Sequence, residues 1–171
     1  MSKQKQMMES KYQTGWVRFI AAFIDGLVFL PLVLFEDYFL LPTENKLGMI
    51  SWLILSVILS YTYSVLLHAK YGQTLGKMAM KVKIVDMSET KSITFLHAFM
   101  RDSVGMAISL VSVIFLYFQF ADIQLIEKGY DDFLMPWFFS WIIIELGTML
   151  FNSKRRAIHD FIAGTVVVRT K

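Results

Sequence analysis

Residues 47–69, LGMISWLILSVILSYTYSVLLHA, run for 23 positions without an Asp, Glu, Lys or Arg. A helix rising about 1.5 Å per residue over that length spans the roughly 30 Å hydrocarbon core of a bilayer. The stretch is apolar on every side, whereas a helix of a soluble bundle keeps a polar face at the 3.6-residue period. Working outward, Ser103 to Ala121 is a second uncharged run, and two more runs carry one charge each: Phe19 to Phe35 with Asp25, and Phe133 to Phe151 with Glu145. Four membrane-spanning helices are predicted, at about 16–35, 47–69, 102–121 and 133–151.

The composition agrees. Of 171 residues 56% are hydrophobic and 18% charged, with 15 Phe and 11 Met. Soluble domains run about 45–50% apolar and about 25% charged, so this chain lacks the polar surface of a soluble enzyme or a disordered segment. A net charge of +3 is too weak to imply nucleic acid. Zero cysteines exclude disulfides, thiolate metal sites and a cysteine nucleophile.

Charge in the loops sets an orientation. Fifteen of the 17 basic residues fall before the first span, in the connector 70–100 or at its end, and in the tail 152–171. The two remaining loops hold only Lys46 and Lys128, against seven acidic residues. The positive-inside rule then places both termini and the connector in the cytoplasm of a multi-pass plasma-membrane protein. A signal peptide is not expected: the first run carries Asp25, and no small-x-small cleavage pattern follows Pro31. Tyr12, Trp16, Trp52 and Trp137 fit interfacial aromatic belts in part.

On the cytoplasmic side, Met80 to Asp86 and Thr165 to Arg169 are β-prone and are expected to pair as a short sheet, with a turn over Asp86 to Thr90. Ser92 to Met100 reads as a separate amphipathic surface helix. The predicted fold class is an all-α membrane protein with a small cytoplasmic β element.

Ionisable groups inside a span cost roughly 2.5–3.5 kcal/mol on insertion scales. Asp25, seven residues after Arg18 on one helix face, is therefore a candidate site for a cation or proton, with a buried partner for Arg101 or Arg18 as the favoured alternative. Glu145 is the second candidate, able to share a cation or proton with Asp25 or to hydrogen-bond between helices. Ser56, Ser60, Ser64 and His68 recur every four residues, a polar stripe suited to close helix packing or to a hydrophilic path. His159-Asp160 follows Lys154-Arg155-Arg156, but three histidines are too few for a metal phosphohydrolase centre. The basic cluster is most simply a topology and anionic-lipid anchor. Gly72 to Lys77 lacks the length and closing Ser or Thr of a phosphate loop. No enzyme, cofactor or metal is predicted.

These pieces together resemble a known family. Arg18 with Asp25, the segment Gly72-Gln73-Thr74-Leu75-Gly76-Lys77, Arg101 before the third span, and Ile158-His159-Asp160-Phe161-Ile162-Ala163-Gly164-Thr165 are similar to the motifs of RDD-family membrane proteins, over about residues 12 to 169. The resemblance identifies Asp160 as the second family aspartate ahead of Asp102, and marks Gly76, Lys77, Gly164 and Thr165 as motif residues. It implies a membrane protein of a largely uncharacterised bacterial family. Some members are reported as sodium/proton exchangers; others act as accessory partners of membrane proteases and quality-control machinery.

Two functional readings follow. In one, Asp25 and Glu145 bind and exchange a monovalent cation or proton, and four spans require a homo-oligomer. In the other, the chain is a non-catalytic regulatory partner of a membrane enzyme. A third expectation is structural: Arg18, Arg101, His159 and Asp160 form a charge network tying the small sheet to the helix ends.

Overall fold

The computed structural model describes residues 10–120 and 135–170, the side chains of 116, 119, 120, 135, 137 and 138 excepted. The outer-loop residues Asp122, Glu127, Lys128, Asp131 and Asp132 lie outside the described residues. So do Lys3, Lys5, Lys171, the ends of two predicted spans at 121 and 133–134, and the Trp137 side chain.

The elements run α1 (Gly15–Phe35), α2 (Lys46–Tyr71), α3 (Leu75–Ala79), β1 (Val82–Asp86), α4 (Phe95–Phe120), α5 (Met135–Leu150), α6 (Ile158–Ile162) and β2 (Thr165–Arg169). Among the described residues three apolar helical stretches are long enough to cross a membrane: Ser10–Thr43, Lys46–Tyr71 and Phe95–Phe115. The first extends beyond α1 because the helix passes through Pro31 and continues as a π-helical turn, Glu36–Leu40, and a 3₁₀ turn, Leu41–Thr43. Asn45 starts α2 by accepting from the Gly48 N–H at 3.0 Å. Gly72 ends it with a left-handed cap, φ 70°. Described α5 is 16 residues, about 24 Å of helix and short of a full crossing by itself.

Large apolar side chains point outward: Phe19, Leu47, Ile143 and Phe151 are among those most exposed. In a bilayer, lipid covers such faces and no internal core is needed to hide them. The protein's own core sits instead at one end, where Val82, Ile84 and Val167 of the sheet pack with Val17, Val65 and Ala98 of the helix ends and with Ile93 of the segment before α4.

The strands pair antiparallel, Val82 opposite Arg169 through Asp86 opposite Thr165, as their β-branched composition leads one to expect. The surface helix expected at Ser92 to Met100 is absent. Ser92 forms an isolated bridge to Val85, and from Phe95 the chain is one continuous helix into the third span. Exposed Phe95, Leu96 and Phe99 give that first turn an apolar surface, so it extends the span where a parallel surface helix would need a polar face.

Three segments meet at the sheet end. Arg169 Nε donates to the Gln13 carbonyl at 3.1 Å, Ile84 N donates to the Gly72 carbonyl at 2.8 Å, and Glu89 joins the N-terminal segment to the tail. N-terminal segment, connector and tail therefore meet at one end of the helices.

Candidate functional site

Asp160 is wholly buried between two guanidinium groups. Arg18 from α1 donates to Oδ2 at 2.8 Å, and Arg101 from α4 binds Oδ1. The Ala157 N–H donates to Oδ2 at 3.0 Å, so the same carboxylate also caps α6. Burial alone would raise the Asp160 pKa, but Arg101 and Arg18 hold it well below the usual carboxylate range. Arg156 binds the backbone around it, Nη2 to the Asp160 carbonyl at 2.8 Å and Nε to the Thr165 carbonyl at 2.9 Å. Gly164 turns the chain from α6 into β2, and the Thr165 hydroxyl accepts from Arg101 at 3.3 Å.

His159 sits beside this lock with a defined tautomer. Its Nε2 accepts from Arg18 at 3.0 Å and from Arg101 at 2.8 Å, so Nδ1 carries the proton that reaches Glu145 Oε1 at 2.9 Å. Burial, then the Arg101 charge, lowers its pKa and keeps the ring neutral. The second Glu145 oxygen, Oε2, is buried and has no hydrogen-bond donor among the described residues.

Asp25 is closed off differently. It accepts from Tyr63 Oη at 2.8 Å, Thr74 Oγ1 at 2.5 Å and the Gly76 N–H at 2.8 Å. Neither Arg18 nor Arg101 pairs with it; both converge on Asp160. The reason lies in the connector, where α3 returns against α1 and offers neutral donors to Asp25 first. Leu75 N donates in turn to Tyr63 Oη at 3.1 Å, so the phenol orders both segments.

The polar stripe of α2 divides. Ser60 donates to the Ser56 carbonyl within its own helix at 2.8 Å. Ser64 and His68 reach α4, where Ser64 Oγ donates to Asp102 Oδ2 at 2.7 Å and His68 Nδ1 lies 3.4 Å from the same oxygen. Lys77 Nζ donates to His68 Nε2 at 3.0 Å and to Thr74 Oγ1 at 3.4 Å. Burial, followed by repulsion from Arg101, lowers the Lys77 ammonium pKa to about 8.

A cavity of about 390 Å³ joins these groups, its wall including Arg18, His68, Lys77, Asp102, Glu145 and His159. Asp25 is not part of that wall, so the two predicted carboxylates do not share a chamber; Asp102 faces Glu145's cavity instead. In the sequence Asp102 stands out only as a rival for the second aspartate, although it lies next to Arg101 at a span boundary. Among the described residues no group of three or more His, Asp or Glu is placed to hold a metal ion.

Away from the cavity, Glu89 binds Lys11 at 2.5 Å, Tyr12 at 2.5 Å and Lys154 at 2.6 Å, a clasp with no signal in the sequence because its partners are far apart. Burial raises the Glu89 pKa, but Lys11, Lys154 and Tyr12 outweigh it and hold the group at about 2, against 4.5 ordinarily. A depressed carboxylate stabilises the fold above its unfolded pKa, and the contribution fades as pH falls from 4.5 towards 2. Thermal melting from pH 6 to pH 3 should therefore drop more steeply in the wild type than in Glu89→Gln. The difference is about 1 kcal/mol or less, since the pairs are partly solvated.

Comparison with known proteins adds three findings. A family model described as the RDD family matches residues 12–164. The "Uncharacterized membrane protein YteJ" of Bacillus subtilis (strain 168) is 23% identical over 175 residues, covering 99% of this chain and 88% of that protein. No solved structure matches the chain.

Proposed function

The chain belongs to the RDD family, and from that premise we propose that it is a non-enzymatic membrane protein that binds a monovalent cation at Glu145 and exchanges it for protons. One observation carries the reading. Glu145 Oε2 is buried in the cavity with no donor, while Oε1 is held by His159. An unsatisfied buried carboxylate oxygen is costly unless something positive reaches it. Asp25, satisfied by three donors, has a structural role in this reading.

The topology completes it. Segments on one side of a membrane are separated by an even number of crossings. The pairing of β1 with β2 supports a connector and a tail on one side; if Phe95–Phe115 crosses, the stretch containing α5 then crosses back, making four spans. The basic bias of that side makes it the cytoplasm of the plasma membrane. The chain has no cysteine, so single cysteines report topology directly. In intact cells an impermeant maleimide should label Glu44→Cys and leave Thr90→Cys unlabelled; the reverse pattern overturns the orientation.

Function is tested in liposomes carrying purified protein and a trapped pH dye. Sodium, potassium or lithium chloride should drive proton movement, and Glu145→Gln should reduce it by roughly tenfold or more, the scale of a lost charged contact. Flux unchanged in a folded Glu145→Gln protein overturns the assignment of Glu145. No flux with any of the three ions overturns exchange itself and favours the regulatory-partner role.

A further inference from the structure

Resting on the cation–proton reading above, we infer that Lys77, His68 and Asp102 form a proton relay that discharges when a cation enters the cavity, with Lys77 as the proton store. The cavity holds two histidine–carboxylate pairs that end differently. His159 links Glu145 to Arg18 and Arg101. Guanidinium does not give up its proton in a protein, so that pair carries fixed charge. His68 links Asp102 to Lys77, whose ammonium does release a proton when desolvated.

The order of donors fits transfer. Lys77 Nζ donates to His68 Nε2 at 3.0 Å, so the neutral imidazole has its proton on Nδ1, facing Asp102 Oδ2 at 3.4 Å. The Ser64 hydroxyl, 3.3 Å from Nδ1 and 2.7 Å from Oδ2, bridges the longer gap. In the step, a Lys77 N–H bond breaks as an N–H bond forms at His68 Nε2. The Nδ1–H bond breaks as an O–H bond forms on Asp102, whose carboxyl then releases the proton to solvent. One cation enters, one proton leaves, and the imidazole has exchanged tautomers.

The surroundings favour discharge. No carboxylate forms an ion pair with Lys77 among the described residues. The charged or titratable groups facing it are His68 from α2, Asp102 and Arg101 from α4, and Asp25 and Arg18 from α1. Arg101 and Arg18 already repel the ammonium, and a cation bound at Glu145 adds to that repulsion.

The test measures protons released when sodium chloride is added to detergent-purified full-length protein in weak buffer with a pH dye, alongside sodium binding. Wild type should release about one proton per sodium bound. Lys77→Arg keeps the positive charge and the donors but not the labile proton, so sodium should still bind while release falls roughly fivefold or more. His68→Gln, which cannot pass a proton between two ring nitrogens, should behave likewise. Undiminished release in both folded variants overturns the relay.

If the wild type binds no sodium, the cation reading fails and the proton store is judged separately by acid–base titration of the purified protein from pH 7 to pH 9, across the Lys77 titration near 8. Wild type should release about one proton per chain more than Lys77→Arg, whose guanidinium keeps its charge throughout. Equal release by the two folded proteins overturns the relay.

Discussion

Asp160→Asn should unfold this protein or melt it about 6–20 °C lower, the largest single-site loss expected in the chain. The substitution leaves the Arg18 and Arg101 guanidiniums buried beside each other without the carboxylate that both pair with. Removing one partner of a buried ion pair costs about 3–5 kcal/mol. At roughly 2–4 °C per kcal/mol for a chain of this size, that is the stated drop. It also leaves one acceptor oxygen in place of two, so the Ala157 N–H and the guanidiniums compete for it, which weakens the cap of α6 and the entry into β2. Thermal melting in detergent, followed by size-exclusion homogeneity, reads the effect. If the loss comes from stranded cations, Asp160→Asn with Arg101→Gln should lose less than the two single changes added together. Melting within 2 °C of wild type would show that the arginines find other partners.

Gly76→Ala should be nearly as damaging despite adding one methyl group. A Cβ there would overlap the Ala21 carbonyl oxygen and stand 2.9 Å from Asp25 Cγ. The first obstacle is helix backbone, which does not yield as a flexible side chain does. α3 must therefore lift away from α1, losing the Gly76 N–H and Thr74 hydroxyl bonds to Asp25. Overpacking costs about 1–3 kcal/mol, and an orphaned buried acceptor adds about 1–3 more. Lys77 follows α3, so its contact with His68 is lost too. Gly147→Ala is the control: a Cβ there meets nothing within 4 Å, and melting should be unchanged or slightly higher. Equal melting of both variants would refute the close α1–α3 approach.

These expectations change what the motif residues mean. Arg18, Arg101, Asp160, Gly76 and Asp25 together fix α1, α3, α4 and α6 against one another. None of the five carries the exchange chemistry proposed for Glu145. Most of the motif thus builds the lock beside the proposed exchange residues; Lys77 is the motif residue the relay uses, and His159 touches both, accepting from the lock and donating to Glu145.

The sequence by itself determined the membrane-spanning character, since 23 uncharged residues at 47–69 have no soluble use and length against bilayer thickness is a one-dimensional comparison. It likewise determined the pairing of Val82–Asp86 with Thr165–Arg169, because β-branched runs are scarce here and both fall on the basic side. It could not determine which carboxylate meets which cation. Asp25 and Asp160 are 135 positions apart and each has several basic residues within plausible reach. Only the tertiary fold decided that both arginines go to Asp160 while hydroxyl and amide donors take Asp25. The choice depends on the turn at Gly72, which sends α3 back against α1, and on the helix angles that aim Asp102 and Glu145 into one cavity. Hydropathy is summed along the chain and is legible there; charge partnership depends on distances of a few ångströms between segments, which folding alone sets.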